Sequence, residues 1–279
     1  MKAIDVTPVA ELAEDINNSI LNNVNALQCL SQIREKDKYL LEHSVNVGIL
    51  MSIFSTFLGF DKATVKELTT GALLHDIGKI RVPSEILNKP GALTDEEWTE
   101  MRRHVIYGQA VLTKSPGISD IAKSICAQHH ERLDGSGYPI GMAGEDIDTY
   151  GRLAAIVDVY DAVTASRCYH EGMSPFKAMK LLLSLADNHF DKTLVYSFIR
   201  CMSVYPVGTL VELNNGHAGV VIESNLETPN KPRLRMFYNI KHKRYEKPQV
   251  LDLARTKAPL EIIKTWHPEE LGIKIDEFL

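Results

Sequence analysis

Residues 129–139 read HHERLDGSGYP and place two adjacent histidines directly before a turn. The turn contains Gly135, Gly137 and Pro139, residue types that favour loops over the interior of helices or strands. Neighbouring imidazoles are candidate metal ligands, because neutral histidine is the most common metal-binding side chain. A histidine pair alone is a weak signal, so its meaning depends on which other side chains can join it.

A second group of ionisable residues lies upstream in GALLHDIGKI, residues 71–80. His75, Asp76 and Lys79 are flanked there by apolar residues, and burying them without a partner or a metal would be costly. If a helix continues through this segment, the three side chains share a similar face. A lysine in such a site would suit an anionic substrate.

Further candidate ligands are spread along the helical region. Asp158 lies in the apolar run LAAIVDVYDAV, where a carboxylate needs a compensating charge or a metal. The complete candidate set is His43, His75, Asp76, His104, His129, His130 and Asp158. These side chains are more numerous than the ligands of one tetrahedral zinc site, and they suit two divalent ions with Asp76 as a bridge. Mixed imidazole and carboxylate ligation favours iron or manganese, with nickel or zinc as alternatives.

The order and spacing of these motifs resemble the HD-domain metal-dependent phosphohydrolases. HDIGK and HHERLDGSGYP together resemble the HD-GYP subfamily over about residues 37–202. The resemblance implies that both His129 and His130 bind metal and that Asp76 and Lys79 are catalytic. It also implies the activity of a cyclic di-GMP phosphodiesterase, in which a metal-bridging hydroxide yields linear pGpG or GMP.

The resemblance extends to substrate and partner contacts. Lys79, Gly137, Tyr138, Pro139 and Arg167 are the substrate-binding candidates, and Tyr138 could stack on guanine or bond a phosphate. In the family, the Gly-Tyr-Pro loop is also associated with contacts to GGDEF-domain partners. We therefore expect cyclic di-GMP as substrate and GGDEF proteins as partners of this loop.

Two positions depart from the family pattern. Some relatives bind a third metal through a glutamate four residues before the first histidine, and this chain has Tyr39 there. Relatives often carry Thr-Ser-Asp-Arg-Pro-Tyr where residues 164–169 read TASRCY, which keeps Arg167. We therefore expect two ions rather than three.

Two other functions stay open from the sequence. One is an HD hydrolase of another nucleotide such as guanosine tetraphosphate, whose relatives carry an acidic pair after the HD where this chain has HDIGK. The other is a catalytically weak cyclic di-GMP sensor. The intact set of candidate ligands favours an enzyme over a sensor.

The predicted fold is mainly α: a multi-helix HD-domain bundle with an N-terminal helix and a small C-terminal β module. We place the N-terminal helical segment at residues 1–36, the catalytic domain at 37–202 and the β-rich module at 203–279. Within the module, NNG at residues 214–216 predicts a β-hairpin and RLRMFYN a further strand. Thr94 and Glu97 form a capping-box signature for a helix expected to carry His104, and Ser174-Pro175 predicts another helix start.

The helix predicted over residues 8–34 has an apolar stripe. The stripe comprises Leu12, Ile16, Ile20, Val24, Leu27 and Leu30. It fits either a second copy of the chain, giving a homodimer, or the core of its own chain.

Composition limits the remaining possibilities. The 279 residues are 44% hydrophobic and carry a net charge of −5, which argues against a nucleic-acid-binding protein. The basic stretch over residues 230–247 is therefore interpreted as a solvated strand face.

The uncharged segment Ser44–Phe60 is short and interrupted by polar residues, so a buried helix is expected rather than a membrane span. Four cysteines without a CxxC pair, and no apolar signal segment, indicate a cytoplasmic protein.

Overall fold

The computed structural model describes residues 3–30, 39–165, 172–202, 205, 207–225, 228, 230–273 and 275–278; side chains are described for these residues except 20–30, 39–41 and 276. The α-helices are α1 (Thr7–Leu30), α2 (Tyr39–Phe57), α3 (Lys62–Leu74), α4 (Ser84–Leu87), α5 (Asp95–Arg102), α6 (His104–Leu112), α7 (Asp120–Gln128), α8 (Thr149–Thr164), α9 (Pro175–Leu185), α10 (Lys192–Met202) and α11 (Pro268–Leu271). The strands are β1 (Leu210–Leu213), β2 (His217–Glu223), β3 (Arg233–Asn239), β4 (Arg244–Asp252) and β5 (Ile262–Trp266). A helical bundle followed by a small β module is the predicted fold class.

Helix α2 lies at the centre of the bundle. It contacts α1, α3, α8 and α10, and its residues Leu50, Met51 and Phe54 are buried. Phe54 meets Phe198 of α10 edge to face, with ring centroids 5.1 Å apart. The apolar segment Ser44–Phe60 is therefore a buried helix, as predicted. None of the helices in the described part of the chain is long and apolar enough to cross a membrane.

The predicted helix starts are confirmed, but His104 lies outside the helix predicted to carry it. Thr94 and Glu97 form the expected capping box, and α5 ends at Arg102. The Arg103 N–H donates to the carbonyls of Glu100 and Met101, so the i to i−4 ladder is interrupted. His104 is consequently the first residue of α6.

The HDIGK segment also differs from the continuous helix considered for it. Helix α3 ends at Leu74, and a 3-10 helix follows at Ile77–Arg81. A Cβ atom on Gly78 would lie 1.8 Å from the His104 carbonyl oxygen and 2.5 Å from the Gly108 nitrogen. Glycine at position 78 therefore lets this segment pack closely against α6.

Helix α1 packs against α2 and α3 of its own chain. Ala13 and Ile16 are buried, and the Asn17 amide hydrogen-bonds the hydroxyls of Ser52 and Thr69. Leu12, from the predicted stripe, is 42% exposed. The stripe residues from Ile20 to Leu30 lie outside the described side chains, so dimerisation through them stays a prediction.

The β module is an antiparallel sheet in the order β4-β3-β2-β1-β5. The predicted hairpin joins β1 to β2, and Gly216 in its turn has a φ of 82°, a conformation that favours glycine. Apolar residues cover both faces of the sheet. Val211 and Leu234 belong to one buried cluster, whereas Leu210 and Phe237 belong to another.

Candidate metal centre

All seven predicted ligands converge at one place in the bundle. His43 comes from α2, His75 and Asp76 from the end of α3, and His104 from the start of α6. His129 and His130 come from the end of α7, and Asp158 from the middle of α8. Six of the seven side chains are buried, and His130 is partly exposed. Helix ends thus bring residues that are distant in sequence into one cluster.

The cluster divides into two groups that share Asp76. One group contains Asp76, His104, His129 and His130, and the other contains His43, His75 and Asp76. Within each group, one ligand atom per residue lies within 4.8 Å of all the others. This arrangement could hold two ions, with Asp76 contributing to both.

The two carboxylate oxygens of Asp76 face different groups. Asp76 Oδ1 lies 3.2 Å from His104 Nε2, whereas Oδ2 lies 3.3 Å from His75 Nε2. The Asp158 carboxylate also lies between the groups. Its Oδ1 is 3.1 Å from His43 Nε2, and its Oδ2 is 3.7 Å from His130 Nδ1. Asp76 therefore has the geometry of a shared ligand, and Asp158 lies beside both groups.

Backbone carbonyls orient three of the imidazoles. The Nδ1 atoms lie 2.6 Å from the Ala72 oxygen for His75, 2.7 Å from the Met101 oxygen for His104, and 3.1 Å from the Ile125 and Cys126 oxygens for His129. A carbonyl only accepts hydrogen bonds, so each Nδ1 carries a hydrogen, and in the neutral ring Nε2 is then the nitrogen with the lone pair. The lone pairs of all three rings are then available to a metal.

His43 is oriented by a carboxylate that sequence reasoning missed. Its Nδ1 lies 2.7 Å from Oδ2 of Asp161, which is fully buried. A carboxylate behind a metal-binding imidazole fixes the ring and strengthens it as a ligand. The available signal was spacing: Asp161 follows Asp158 by three residues in the same apolar helix, and so lies on a similar face.

Unsatisfied polar atoms test whether this cluster suits metal ions. Nε2 of His75, His104 and His129, and Oδ1 of Asp76, are buried and have no hydrogen-bond partner among the described residues. Buried polar atoms in proteins are normally hydrogen-bonded. Four such atoms directed at one place, all of metal-ligating types, fit divalent metal binding.

The sequence matches two known family models. Residues 28–194 match a family model described as HD domain, and residues 210–274 match one described as KOW domain associated with HD domain. The chain belongs to the HD domain family. The expected HD-domain bundle is thereby confirmed, together with its C-terminal β module.

Several curated relatives of this HD domain protein carry functional names. The chain is 39% identical over 254 residues to "Cyclic di-GMP phosphodiesterase PA4108" of Pseudomonas aeruginosa, covering 91% of this chain and 61% of that one. It is 33% identical to "3'3'-cGAMP-specific phosphodiesterase 2" of Vibrio cholerae, covering 68% of this chain and 36% of that one. The chain therefore spans less than two thirds of the length of these relatives.

A solved structure resembles this HD domain protein as well. It is described as Bd1817, a HDG"Y"P protein from Bdellovibrio bacteriovorus. The TM-score is 0.58 at 26% identity, and the match covers 68% of this chain and 60% of that one.

The carboxylates of the HD domain are held in their ionised forms. For Asp76, burial raises the pKa, but the nearby His75 imidazole and Lys79 ammonium outweigh burial, and the pKa lies well below its usual range. For Asp158, burial also raises the pKa, but the hydrogen bond from His43 and the charge of His43 outweigh burial, and this pKa too lies well below its usual range. Ionised carboxylates are the form that binds metal.

Three of the imidazoles have shifted pKa values, two of them lowered and one raised. Burial, reinforced by His75, lowers the pKa of His129 to about 3, and burial with His129 lowers the pKa of His130 well below its usual range. Both rings are therefore neutral, as metal ligation requires. Burial also opposes protonation of His43, but its hydrogen bonds to Asp158 and Asp161 outweigh burial and raise its pKa to about 9.

Two predicted substrate contacts lie beside the cluster. The Lys79 ammonium pairs with the Asp76 carboxylate, although no continuous helix joins them. The Tyr138 ring lies against His130, with centroids 4.5 Å apart. Burial, followed by the charge of Asp158, raises the pKa of Tyr138, which keeps the phenol neutral. Arg167 lies outside the described residues.

The Gly-Tyr-Pro loop folds back onto the end of α7. A Cβ atom on Gly137 would lie within 2.6 Å of backbone atoms of His130, Glu131 and Arg132, so only glycine fits there. Pro139 follows Tyr138 in this loop. The loop is thus packed against the chain segment that carries two of the candidate ligands.

Sequence reasoning also missed the residue that holds this loop. The buried Glu131 carboxylate accepts backbone hydrogen bonds from Ile140, Gly141 and Met142 at 2.9–3.1 Å. A carboxylate that accepts several N–H groups is a strong anchor. Glu131 follows His130 directly, so it couples the loop to the candidate metal centre.

Proposed function

We propose that this HD domain protein is a metal-dependent phosphodiesterase that hydrolyses cyclic di-GMP to linear pGpG or GMP. The observation that carries the proposal is the pair of ligand groups sharing Asp76 beside the Gly-Tyr-Pro loop. The names of its relatives support this substrate class, since two of them act on cyclic dinucleotides according to those names.

The chain's own residues supply positioning and charge. Two divalent ions held by these residues would lower the pKa of coordinated water and stabilise charge on phosphate oxygens. Asp76 belongs to both ligand groups, and Asp158 lies beside them. The Lys79 ammonium, adjacent to Asp76, is placed to contact a phosphate bound there. Tyr138, Gly137 and Pro139 border the site, and Arg167 is a further substrate contact by family resemblance.

We propose two ions per chain, iron or manganese first, with nickel or zinc as alternatives. The donors are imidazoles and carboxylates, which suit these metals. Cys126 supplies no thiolate, because burial, assisted by the charge of Asp76, raises its pKa to about 12. The ligands are the seven that the structure brings together.

Partners and location are also proposals. We propose that the protein acts in the cytoplasm as a homodimer and that the Gly-Tyr-Pro loop contacts GGDEF-domain proteins. The side chain of Ile140, directly after this loop, is exposed and therefore accessible to such a partner. Leu12 on α1 is exposed as well, and sedimentation of wild type against Leu12→Lys would test self-association.

Turnover of cyclic di-GMP by anaerobically reconstituted protein tests the proposed function. We expect hydrolysis by the wild type, with chromatography identifying pGpG or GMP, and no hydrolysis by Asp76→Ala. Asp120→Ala, which removes an exposed carboxylate 2.9 Å from Lys123 outside the cluster, is the matched control and should stay active. Faster turnover of 3'3'-cGAMP would reassign the substrate within the class, and binding without hydrolysis would indicate a sensor.

A further inference from the structure

Arg102 is an exposed cation beside the metal centre that the proposed chemistry leaves unused. It is the last residue of α5, two positions before the ligand His104. Its guanidinium carbon lies 5.3 Å from the centroid of the Tyr138 ring. Tyr138 in turn lies against His130, so one aromatic ring separates Arg102 from a candidate metal ligand.

Arg102 differs from its neighbour Arg103 in its partners. Arg103 is ion-paired to Glu100 at 3.0 Å. Among the described residues, no carboxylate lies within ion-pair distance of Arg102. The charge of Arg102 is therefore not neutralised within the described part of the chain, and a cation–π contact with Tyr138 favours its position beside the loop.

The shape of a cyclic dinucleotide gives this cation a ligand. The molecule has two phosphates on opposite sides of its ring. When one phosphate lies at the candidate metal centre, the other is held away from it. Guanidinium binds phosphate oxygens in a bidentate manner, so the exposed guanidinium of Arg102 beside the centre suits that second phosphate.

We propose that Arg102, stacked on Tyr138, binds the phosphate of the cyclic dinucleotide that is not being hydrolysed. This inference rests on the proposed function and adds a specificity-determining residue to it. Arg102 selects substrates with two phosphates over simple phosphodiesters, and it contributes to binding rather than to the chemical step.

Steady-state kinetics of the reconstituted full chain test the role of Arg102. Wild type, Arg102→Ala, Arg102→Lys and Arg103→Ala are compared on cyclic di-GMP and on bis(p-nitrophenyl) phosphate, which has only one phosphate. For Arg102→Ala we expect KM for cyclic di-GMP to rise about tenfold with kcat within about twofold. Its hydrolysis of bis(p-nitrophenyl) phosphate should be unchanged, Arg102→Lys should be intermediate, and Arg103→Ala should match wild type on both substrates.

Each alternative gives a different result. An unchanged KM for cyclic di-GMP in Arg102→Ala overturns the inference while leaving the proposed function intact. Equal losses on both substrates would mean that the substitution disturbs the metal centre, which also overturns it. The KM of wild type should depend more steeply on salt than that of Arg102→Ala. A raised KM with unchanged salt dependence would assign Arg102 to the uncharged base instead. A wild type that hydrolyses only bis(p-nitrophenyl) phosphate would contradict the proposed function itself.

Discussion

His43 differs from His75, His104 and His129 because a carboxylate, rather than a backbone carbonyl, holds its Nδ1. The negative charge of Asp161 makes His43 a stronger electron donor than an imidazole bonded to a carbonyl. It also links α2 to α8 within the bundle core. At the scale of the single residue, Asp161 is thus a positioning residue of the proposed metal centre.

Asp161→Asn keeps the shape of this side chain and removes its charge. We expect the affinity for the metal bound by His43 to fall about 10–100-fold, because an uncharged amide behind the ring supports it less well as a ligand. Competition with a chelator measures the affinity. Asp120→Asn, in the exposed pair with Lys123 outside the cluster, is the control and should bind metal like wild type. Equal affinities for Asp161→Asn and wild type would contradict the role assigned to Asp161.

Tyr39 is expected to limit the number of ions. Helix α2 places position 39 one turn before His43, on a similar face. A phenol with a pKa near 10 is a poor ligand at neutral pH, whereas glutamate supplies a charged oxygen. Tyr39→Glu should therefore gain a third metal equivalent by elemental analysis, and Tyr39→Phe should keep two. Two equivalents in all three proteins would show that residue 39 does not control occupancy.

At the scale of elements, helix ends and the turns after them build the site. His75, His104 and His129 lie where helices begin or end, and the Gly-Tyr-Pro loop follows α7. Loops of this kind are normally mobile. Here Glu131 anchors the loop through three backbone N–H groups, so Tyr138 is held beside His130.

Glu131→Gln should release this loop. Glutamine has one acceptor oxygen for three N–H donors, and its amide group presents hydrogens to them. We expect a loss of about 1–3 kcal/mol in unfolding free energy, measured with urea, and a raised KM for cyclic di-GMP. Glu145→Gln, at an exposed position in the next turn, should change neither quantity. A normal KM in a destabilised Glu131→Gln protein would restrict Glu131 to a structural role.

The sequence predicted the elements better than their junctions. Apolar runs and capping residues indicated α2, α5 and α9 correctly. The break at Arg103 carried no glycine or proline signal, because it depends on a local change of hydrogen-bond partners. The 3-10 helix after Asp76 depends on packing between Gly78 and α6, a tertiary contact that local sequence does not encode.

At the scale of the whole molecule, the candidate ligands could be predicted because buried ionisable residues in apolar runs are unusual. Their division into two groups could not, since it depends on how α3, α6 and α7 pack around Asp76. Asp161 and Glu131 were missed for a related reason. Each resembles an ordinary acidic residue until the structure shows His43 or a backbone loop against it.

The central claim is a binuclear centre bridged by Asp76 that hydrolyses cyclic di-GMP. Its most direct test is the hydrolysis rate of protein reconstituted with increasing metal per chain. We predict that the rate curves upward as metal is added, levels off at two equivalents, and stays at background for Asp76→Ala. A full rate at one equivalent, or no hydrolysis with two equivalents bound, would contradict the claim.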